Sequence, residues 1–423
     1  MLASAILSGA AKVYFGFQYL PLFLDGLLLF LVGTAIGQRM LVPRTAVVLA
    51  VALLFIVGVI QVFNTYVDDM LFKLKGFRLS AFYMLAFFIP FSEVFTPRRL
   101  RRLSVVFVVV GMVCALFAVK QWMYPNSAEL AYAALEGVGS KFYGDPYYRP
   151  HNAFRVFGSA ISSTHLAALM LLSMAIAMSY LSQVRPVSRV HAWGLLLCSC
   201  ALLLTFSRTA ILAGVVLILY VVYAYVVLTP RARTGQKFVA LMLVVVVLTL
   251  ATVMTYAVPL LRARVLTLQS IGEVSAFLSR LDLWSDRLRD IAVAPFGYGT
   301  GVAGFHETGN YFLIADNQFL KVFIEWGWIA GVVFTVLVGT VLLRSSRIPS
   351  YSETARIWTI AINGSAIALV PLMATGQILE AYPVNLIFWY LIGLREVLGR
   401  GVLVSLSGSK DMSMATQSPS VHE

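Results

Sequence analysis

Hydrophobic residues in this chain come in long unbroken runs, not in the short alternations that mark strands. Eleven runs lie near 20–38, 45–63, 79–95, 104–124, 157–181, 190–206, 209–229, 238–257, 318–342, 357–378 and 384–400. Each predicts a membrane-spanning helix, because crossing the hydrocarbon core takes about 20 residues at about 1.5 Å of rise each. A mildly apolar stretch at 2–18, with Lys12 in its middle, predicts a short twelfth span. The pattern therefore predicts an all-α polytopic membrane protein of 11–12 transmembrane helices. Residues 1–404 read as a single transmembrane domain, with no soluble domain and no internal repeat.

The polar segments between the runs set the orientation. Six alternate segments, 39–44, 96–103, 182–189, 230–237, 343–357 and 395–423, hold 17 of the 32 Lys and Arg residues. The run Arg98-Arg99-Leu100-Arg101-Arg102 is the sharpest anchor. By the positive-inside rule these segments face the cytoplasm. The opposite side carries two long loops, about 125–156 and 258–317, which mix acids, bases, aromatics and glycines. Loops of that length are functional or disordered, and Tyr143, Tyr147 and Tyr148 make the first too aromatic for disorder. Residues 405–423 are rich in Ser, Met and Gln and read as a disordered cytoplasmic tail.

Composition reinforces this reading. Of 423 residues 60% are hydrophobic and only 12% charged, and the mean hydropathy is +0.86. An average soluble domain is about 25% charged. Half that charge cannot cover a water-facing surface, which excludes a soluble enzyme, a disordered chain and a secreted disulfide scaffold. The net charge of +13 would suggest nucleic acid in a soluble protein. Here the positive-inside bias and contact with an anionic substrate or lipid explain it, and no nucleic-acid partner is expected. Cys114, Cys198 and Cys200 lie in apolar runs and read as small core residues.

The second external loop carries most of the candidate chemistry. Residues 279–291 place Arg280, Trp284, Arg287 and Asp290 at helical spacing. An amphipathic helix on the membrane surface would let Arg287 and Arg289 touch either lipid phosphates or an anionic substrate. Arg280, which opens that helix, is assigned to function. The run Gly299-Thr-Gly301-Val-Ala-Gly304 matches G-x-G-x-x-G but has no strand before it and no βαβ unit around it. It is either a flexible turn or a set of backbone N–H donors for an anion. Arg208 follows Ser207 at the hinge between two apolar runs, on the side where few basic residues are expected. An Arg there is costly unless paired or bound, snorkelling to headgroups being the alternative. Asp316-Asn317 lies at the external start of the 318–342 run, where either residue makes a good N-cap and a cap position also holds a carboxylate rigidly. Glu325, deeper in that run, needs a cationic partner, for which an Arg, Lys12 or Lys120 would serve. His151 and His306 lie in the external loops and His165 opens a span, yet no pair has metal-ligand spacing and HExxH is absent. No metal or cofactor is expected. His151, within Arg149-Pro-His-Asn-Ala-Phe-Arg155, is a candidate for substrate contact.

Four segments in order carry a resemblance. Phe154-Arg155-Val-Phe-Gly158 with Ser162-Ser-Thr-His165-Leu-Ala is similar to an R-x-x-G…N-x-L-A motif, with His165 near the usual Asn. Leu204-Thr-Phe-Ser-Arg208-Thr-Ala is similar to T-x-S-R-x-A. Arg280-Leu-Asp-Leu-Trp284, followed by Pro295-Phe-Gly297-Tyr-Gly299, resembles an R-x-x-x-W loop with its glycine turn. Asp316-Asn-Gln-Phe-Leu320 with Glu325-Trp-Gly327 and Gly331 resembles an [HD]-N-x-x-L…E-x-G ending. Together, over residues ~150–335, they resemble the O-antigen ligase/polymerase superfamily.

That resemblance implies a metal-independent glycosyltransferase with a GT-C-like fold in the bacterial inner membrane, its long loops and active site facing the periplasm. The donor would be a glycan on undecaprenyl diphosphate. The acceptor would be a lipid-linked repeat unit for a polymerase or lipid A-core for a ligase, and a polymerase would work with a chain-length regulator. Ligases normally carry His where this chain has Asp316, which favours a polymerase of O-antigen or exopolysaccharide repeats. Catalytic roles fall to Asp316, Arg208 and Arg280, and substrate contact to Arg155, His151, Arg287, Asn317 and His306. The chemistry suits these residue types, since a leaving diphosphate needs fixed cations and guanidinium binds phosphate bidentately. The rival readings are a lipid or polysaccharide transporter and a membrane scaffold. A transporter should show broken helices and charge at membrane depth, whereas here the charge reads as gathered in one external loop.

Overall fold

The computed structural model describes residues 20–38, 42–93, 95–127, 129, 156–160, 162–182, 188–229, 234–257, 275–303, 313, 315–348, 352–380 and 382–399. The expected span at 2–18, the tail 405–423 and much of both long loops lie outside these residues. Among the described residues every regular element is a helix. In chain order they are α1 (Leu20–Gly37), α2 (Ala46–Gln61), α3 (Met70–Ser80), α4 (Pro97–Met123), α5 (Ser163–Leu181), α6 (Arg189–Leu204), α7 (Arg208–Val226) and α8 (Thr234–Ala257). They continue with α9 (Ser275–Val293), α10 (Gln318–Leu343), α11 (Glu353–Ala374) and α12 (Val384–Leu398). The chain is an all-α polytopic membrane protein.

Each apolar run falls on a helical segment. The 79–95 run forms a 3-10 helix, Phe82–Ser92, directly after α3. Among the described residues six segments are long and apolar enough to cross a membrane: Met70–Ser92, Pro97–Met123, Ser163–Leu181, Arg208–Val226, Gln318–Ser346 and Glu353–Ala374. α1, α2, α6 and the second half of α8 are apolar but shorter. α12 is only 15 residues and carries Arg395 and Glu396 near its end.

Burial follows the logic of a bundle in lipid. α5 is apolar on all sides, and 16 of its 19 residues are buried, so it forms the centre. α4, α6, α7 and α11 pack around it. Large apolar side chains on α1 and α2, such as Phe23, Phe30, Leu49 and Ile60, point outward, as a lipid-facing wall requires.

Helix ends fix which residues share one side of the bundle. Tyr225, at the close of α7, lies in the field of Arg356 and Glu353 at the start of α11. Midway, Leu217 and Tyr220 close over Gly364. The two helices therefore run antiparallel, and Arg208 sits at the end where α11 finishes at Ala374. α10 begins at that same end, because the Asn317 side chain donates to the Ala374 carbonyl at 3.0 Å. The basic residues Arg344, Arg347 and Arg356 lie at the opposite end of α10 and α11.

Candidate active site

α9 and the start of α10 build the polar centre at the Ala374 end. Arg280, one turn into α9, donates through Nε to Asp316 Oδ2 at 2.7 Å. Their side chains are 38% and 25% exposed, so a ligand can reach the pair. Asp316 holds φ +43, the left-handed region that costs a non-glycine residue energy. Among the described residues the other non-glycine at positive φ is Phe206, at φ +50, two positions before Arg208. One strained position is thus itself singled out for catalysis, and the other lies two residues before Arg208. Backbone strain of this kind persists where surrounding structure enforces it, and it concentrates at functional sites.

The cap of α10 differs from one expectation. Asn317, not Asp316, is the N-cap: its Oδ1 accepts from the backbone N–H groups of Phe319 at 2.8 Å and Leu320 at 3.2 Å. Asp316 precedes the cap, so its carboxylate faces Arg280 and not the helix. Asn317, named for substrate contact, is engaged through both side-chain atoms in the cap and the Ala374 link. At α7 the cap is Ser207, whose Oγ accepts from Ala210 N–H at 3.4 Å, so Arg208 opens the helix.

The remaining arginines of α9 pair within their own helix. Arg287 Nη1 donates to Asp290 Oδ2 at 2.7 Å, and Arg289 approaches Asp286 at 3.6 Å on the exposed face. The C-terminal end of α9 docks on α10. Trp328 Nε1 donates to the Ile291 carbonyl and the Tyr298 hydroxyl to the Asp290 carbonyl, both at 3.1 Å. Burial, together with the Asp290 charge, pushes the Tyr298 phenol above its usual value and keeps it a donor. His151, Arg155 and His306 lie outside the described residues. His165 Nδ1 lies 2.8 Å from Ser162 Oγ at the start of α5.

Below this pair lies an arrangement the sequence reading did not foresee. α10 is broken at Gly327, whose φ of +80 and ψ of −176 are not helical. The turn 295–299 seals the break: Tyr298 N–H donates to Ile324 O at 2.8 Å, Gly299 N–H to Glu325 O at 3.0 Å, and Trp328 N–H to Pro295 O at 2.9 Å. A Cβ on Gly327 would lie 2.5 Å from the Pro295 carbonyl oxygen, so only glycine fits.

The glycine-rich turn does present N–H groups to an anion, and that anion is internal. Glu325 Oε1 accepts from Gly301 N–H at 3.1 Å and Ala303 N–H at 3.3 Å, and Oε2 accepts from Ser80 Oγ at 3.2 Å. The cation beside Glu325 is Lys321, one turn back at 3.5 Å, which also pairs with Glu380. This replaces the expected partners, and Lys120 instead pairs with Glu129. Lys321 and Glu325 are buried and Glu380 is mostly covered, so the expectation that charge lies only in the external loop is also overturned. The i, i+4 spacing of Lys321 and Glu325 inside an apolar run was the available signal. A broken helix with buried charge is a transporter trait, but here the break is filled by the protein's own backbone.

The polar pair at the bundle end, the strained Phe206 and Asp316, and the glycine turn all fall in one contiguous stretch, α6 to α10. Residues 193–335 match the O-antigen ligase family. The match supports the O-antigen ligase/polymerase superfamily, the group the motifs resemble, and an O-antigen ligase/polymerase type of function. A comparison with curated proteins gives no match. Arg208, Arg280, Asp316 and Glu325 all lie inside the O-antigen ligase match. His151 and Arg155 precede it.

Proposed function

We propose that this protein is a metal-independent glycosyltransferase of the bacterial inner membrane, acting at the periplasmic face. It moves a glycan from undecaprenyl diphosphate to an acceptor hydroxyl, as a polymerase of O-antigen or exopolysaccharide repeats. The observation that carries the reading is the reachable Arg280–Asp316 pair, set at the same bundle end as Arg208 and within the ligase-family match. The Asp at position 316, where ligases carry His, favours polymerisation over transfer to lipid A-core.

In the reaction the acceptor oxygen attacks the anomeric carbon and the bond from that carbon to the diphosphate oxygen breaks. The departing diphosphate gains charge. Arg208 and Arg280 supply fixed, always-charged donors where that charge appears, and preorganised donors of this kind are the largest single source of rate in many enzymes. Asp316 takes the acceptor proton. Arg280 touches Asp316 directly, so one guanidinium orients the base and faces the leaving group.

The test uses purified full-length protein and a synthetic polyprenyl-diphosphate glycan in excess EDTA. Glycan transfer giving a ladder of longer lipid-linked products supports the reading. Transfer only to added lipid A-core makes the protein a ligase. Activity that disappears with chelator and returns with Mg²⁺ or Mn²⁺ overturns the arginine mechanism.

A further inference from the structure

Arg280 has no direct tie to the bundle other than Asp316 among the bonds described for it, so its position depends on what holds α9. The fixed point of α9 is its far end. Ile291 is bound by Trp328, Asp290 by Tyr298, and Ile291, Ala303, Ala315 and Ile324 form a small apolar cluster beneath them. From Ile291 to Arg280 the helix runs about 16 Å. A small tilt at the anchor therefore moves the guanidinium by a distance that matters for catalysis.

The anchor is the turn 295–303, and its contacts are unusually numerous. Gln61 Nε2 donates to Phe296 O at 2.6 Å and Asn64 Nδ2 to Gly297 O at 3.1 Å. Thr300 Oγ1 donates to Lys73 O at 2.8 Å, and Gln377 donates to the Ala303 carbonyl. α3 meets the turn backbone to backbone, so that a Cβ on Gly76 would lie 2.4 Å from Gly301. One side chain takes the N–H groups at the centre of the turn: Glu325, fully buried and held by Lys321 and Ser80. An irregular segment at this depth is tolerated only when its polar groups are met by protein.

We infer that Glu325 is a positioning residue for glycan transfer, which seats the 297–303 turn through its N–H groups and thereby aims Arg280 at Asp316. The inference rests on the proposed function for its catalytic consequence, and on geometry alone for the seating. Charge arithmetic supplies a clean comparison. Lys321 faces two carboxylates, so neutralising Glu325 leaves the Lys321–Glu380 pair balanced. Glu325→Gln and Glu325→Leu carry the same charge, but only Gln keeps an oxygen for Gly301 and Ala303.

The experiment measures kcat and donor KM with the lipid-linked glycan, and amide exchange of residues 295–303, for wild type and both variants in lipid nanodiscs. Glu325→Gln should stay within about 3-fold of wild type in kcat and in exchange. Glu325→Leu should lose on the order of 10²-fold in kcat, the size of effect that misplacing a catalytic group by about 1 Å gives. Its donor KM should move less than about 3-fold, and its turn should exchange about 10-fold faster or more. Gly76→Ala, which pushes on Gly301 without touching any charge, should reproduce the Leu result and stands in if the Leu variant does not accumulate. Wild-type kcat in a variant whose turn exchanges fast overturns the inference, as does unchanged exchange in both Glu325→Leu and Gly76→Ala. Equal loss in Gln and Leu also overturns it, because charge and not the acceptor would then be the requirement. A wild type inert toward lipid-linked glycan, with exchange still distinguishing Gln from Leu, refutes the transfer reading and leaves the seating intact.

Discussion

Arg280 and Asp316, 36 residues apart, meet through a 2.7 Å bond from Nε to Oδ2. The bond uses the edge nitrogen of the guanidinium, which leaves the two terminal nitrogens as the ones that can fork onto an anion. A lysine at this position keeps the charge but offers one compact ammonium in place of a planar fork, so it cannot hold the carboxylate and grip an anion bidentately.

Arg280→Lys should therefore separate the two tasks. We expect normal membrane insertion and loss of activity on the order of 10²-fold, with Arg208→Lys behaving alike. Polymer yield measured at matched protein level is the check. Near-normal yield in both Lys variants would show that neither arginine grips a diphosphate.

Asn317 joins two helices by one side chain, since Oδ1 caps α10 and Nδ2 reaches Ala374 at the end of α11. Asn317→Asp keeps the cap and loses only the second bond, whereas Asn317→Ala loses both. Removing a cap costs about 1 kcal/mol, and the link to Ala374 adds about another 1 kcal/mol. The melting temperature in detergent should fall in the order wild type, Asp, Ala. An Asp variant as unstable as the Ala variant would contradict this assignment of the two atoms.

Lys321 is the cation between the fully buried Glu325 carboxylate and the mostly covered Glu380 carboxylate. Lys321→Met leaves Glu325 and Glu380 facing each other without it, and stranding a buried charge costs on the order of 3–5 kcal/mol. The variant should accumulate poorly. Adding Glu325→Gln and Glu380→Gln removes every charge from the cluster and should restore the folded protein level measured by size-exclusion chromatography. Failure of the triple variant to recover would mean that Lys321 acts by shape and not by charge.

The bundle itself was legible because lipid imposes a simple code: long apolar runs become helices. The helical pattern over 279–291 was legible too, although the helix begins at Ser275 and so places Arg280 one turn inside it and not at its head. The capping position was not legible, because Asp316 and Asn317 are both good caps and only the folded geometry separates them: Asn317 Oδ1 meets the Phe319 and Leu320 N–H groups, while Asp316 sits at φ +43. The break at Gly327 was hidden inside an apolar run that reads as continuous helix. The role of the glycine turn was half visible. The sequence left it as either a flexible turn or a set of N–H donors for an anion; the structure takes the second, but the anion is Glu325, and pairing 24 and 22 residues apart is fixed by tertiary packing alone.

Asp316 offers the sharpest test of chemistry against structure. The cap belongs to Asn317, so Asp316→Asn leaves the start of α10 intact. It also preserves an oxygen that can accept from Arg280. Asn tolerates the left-handed backbone as well as Asp does, so folding should be unaffected within about 0.5 kcal/mol, the usual range for such a change away from the core. What is lost is the ability to take a proton, and we expect a fall of roughly 10²–10⁴-fold in turnover. Asp316→Gly is the structural control. Glycine relieves the φ of +43 and should not lower the melting temperature, yet it should be as inactive as Asn. Asp316→His restores a proton acceptor and should recover part of the activity that Asn loses. Full activity in Asp316→Asn at normal protein level would remove Asp316 from the mechanism and move the search for the base to His151 and His306.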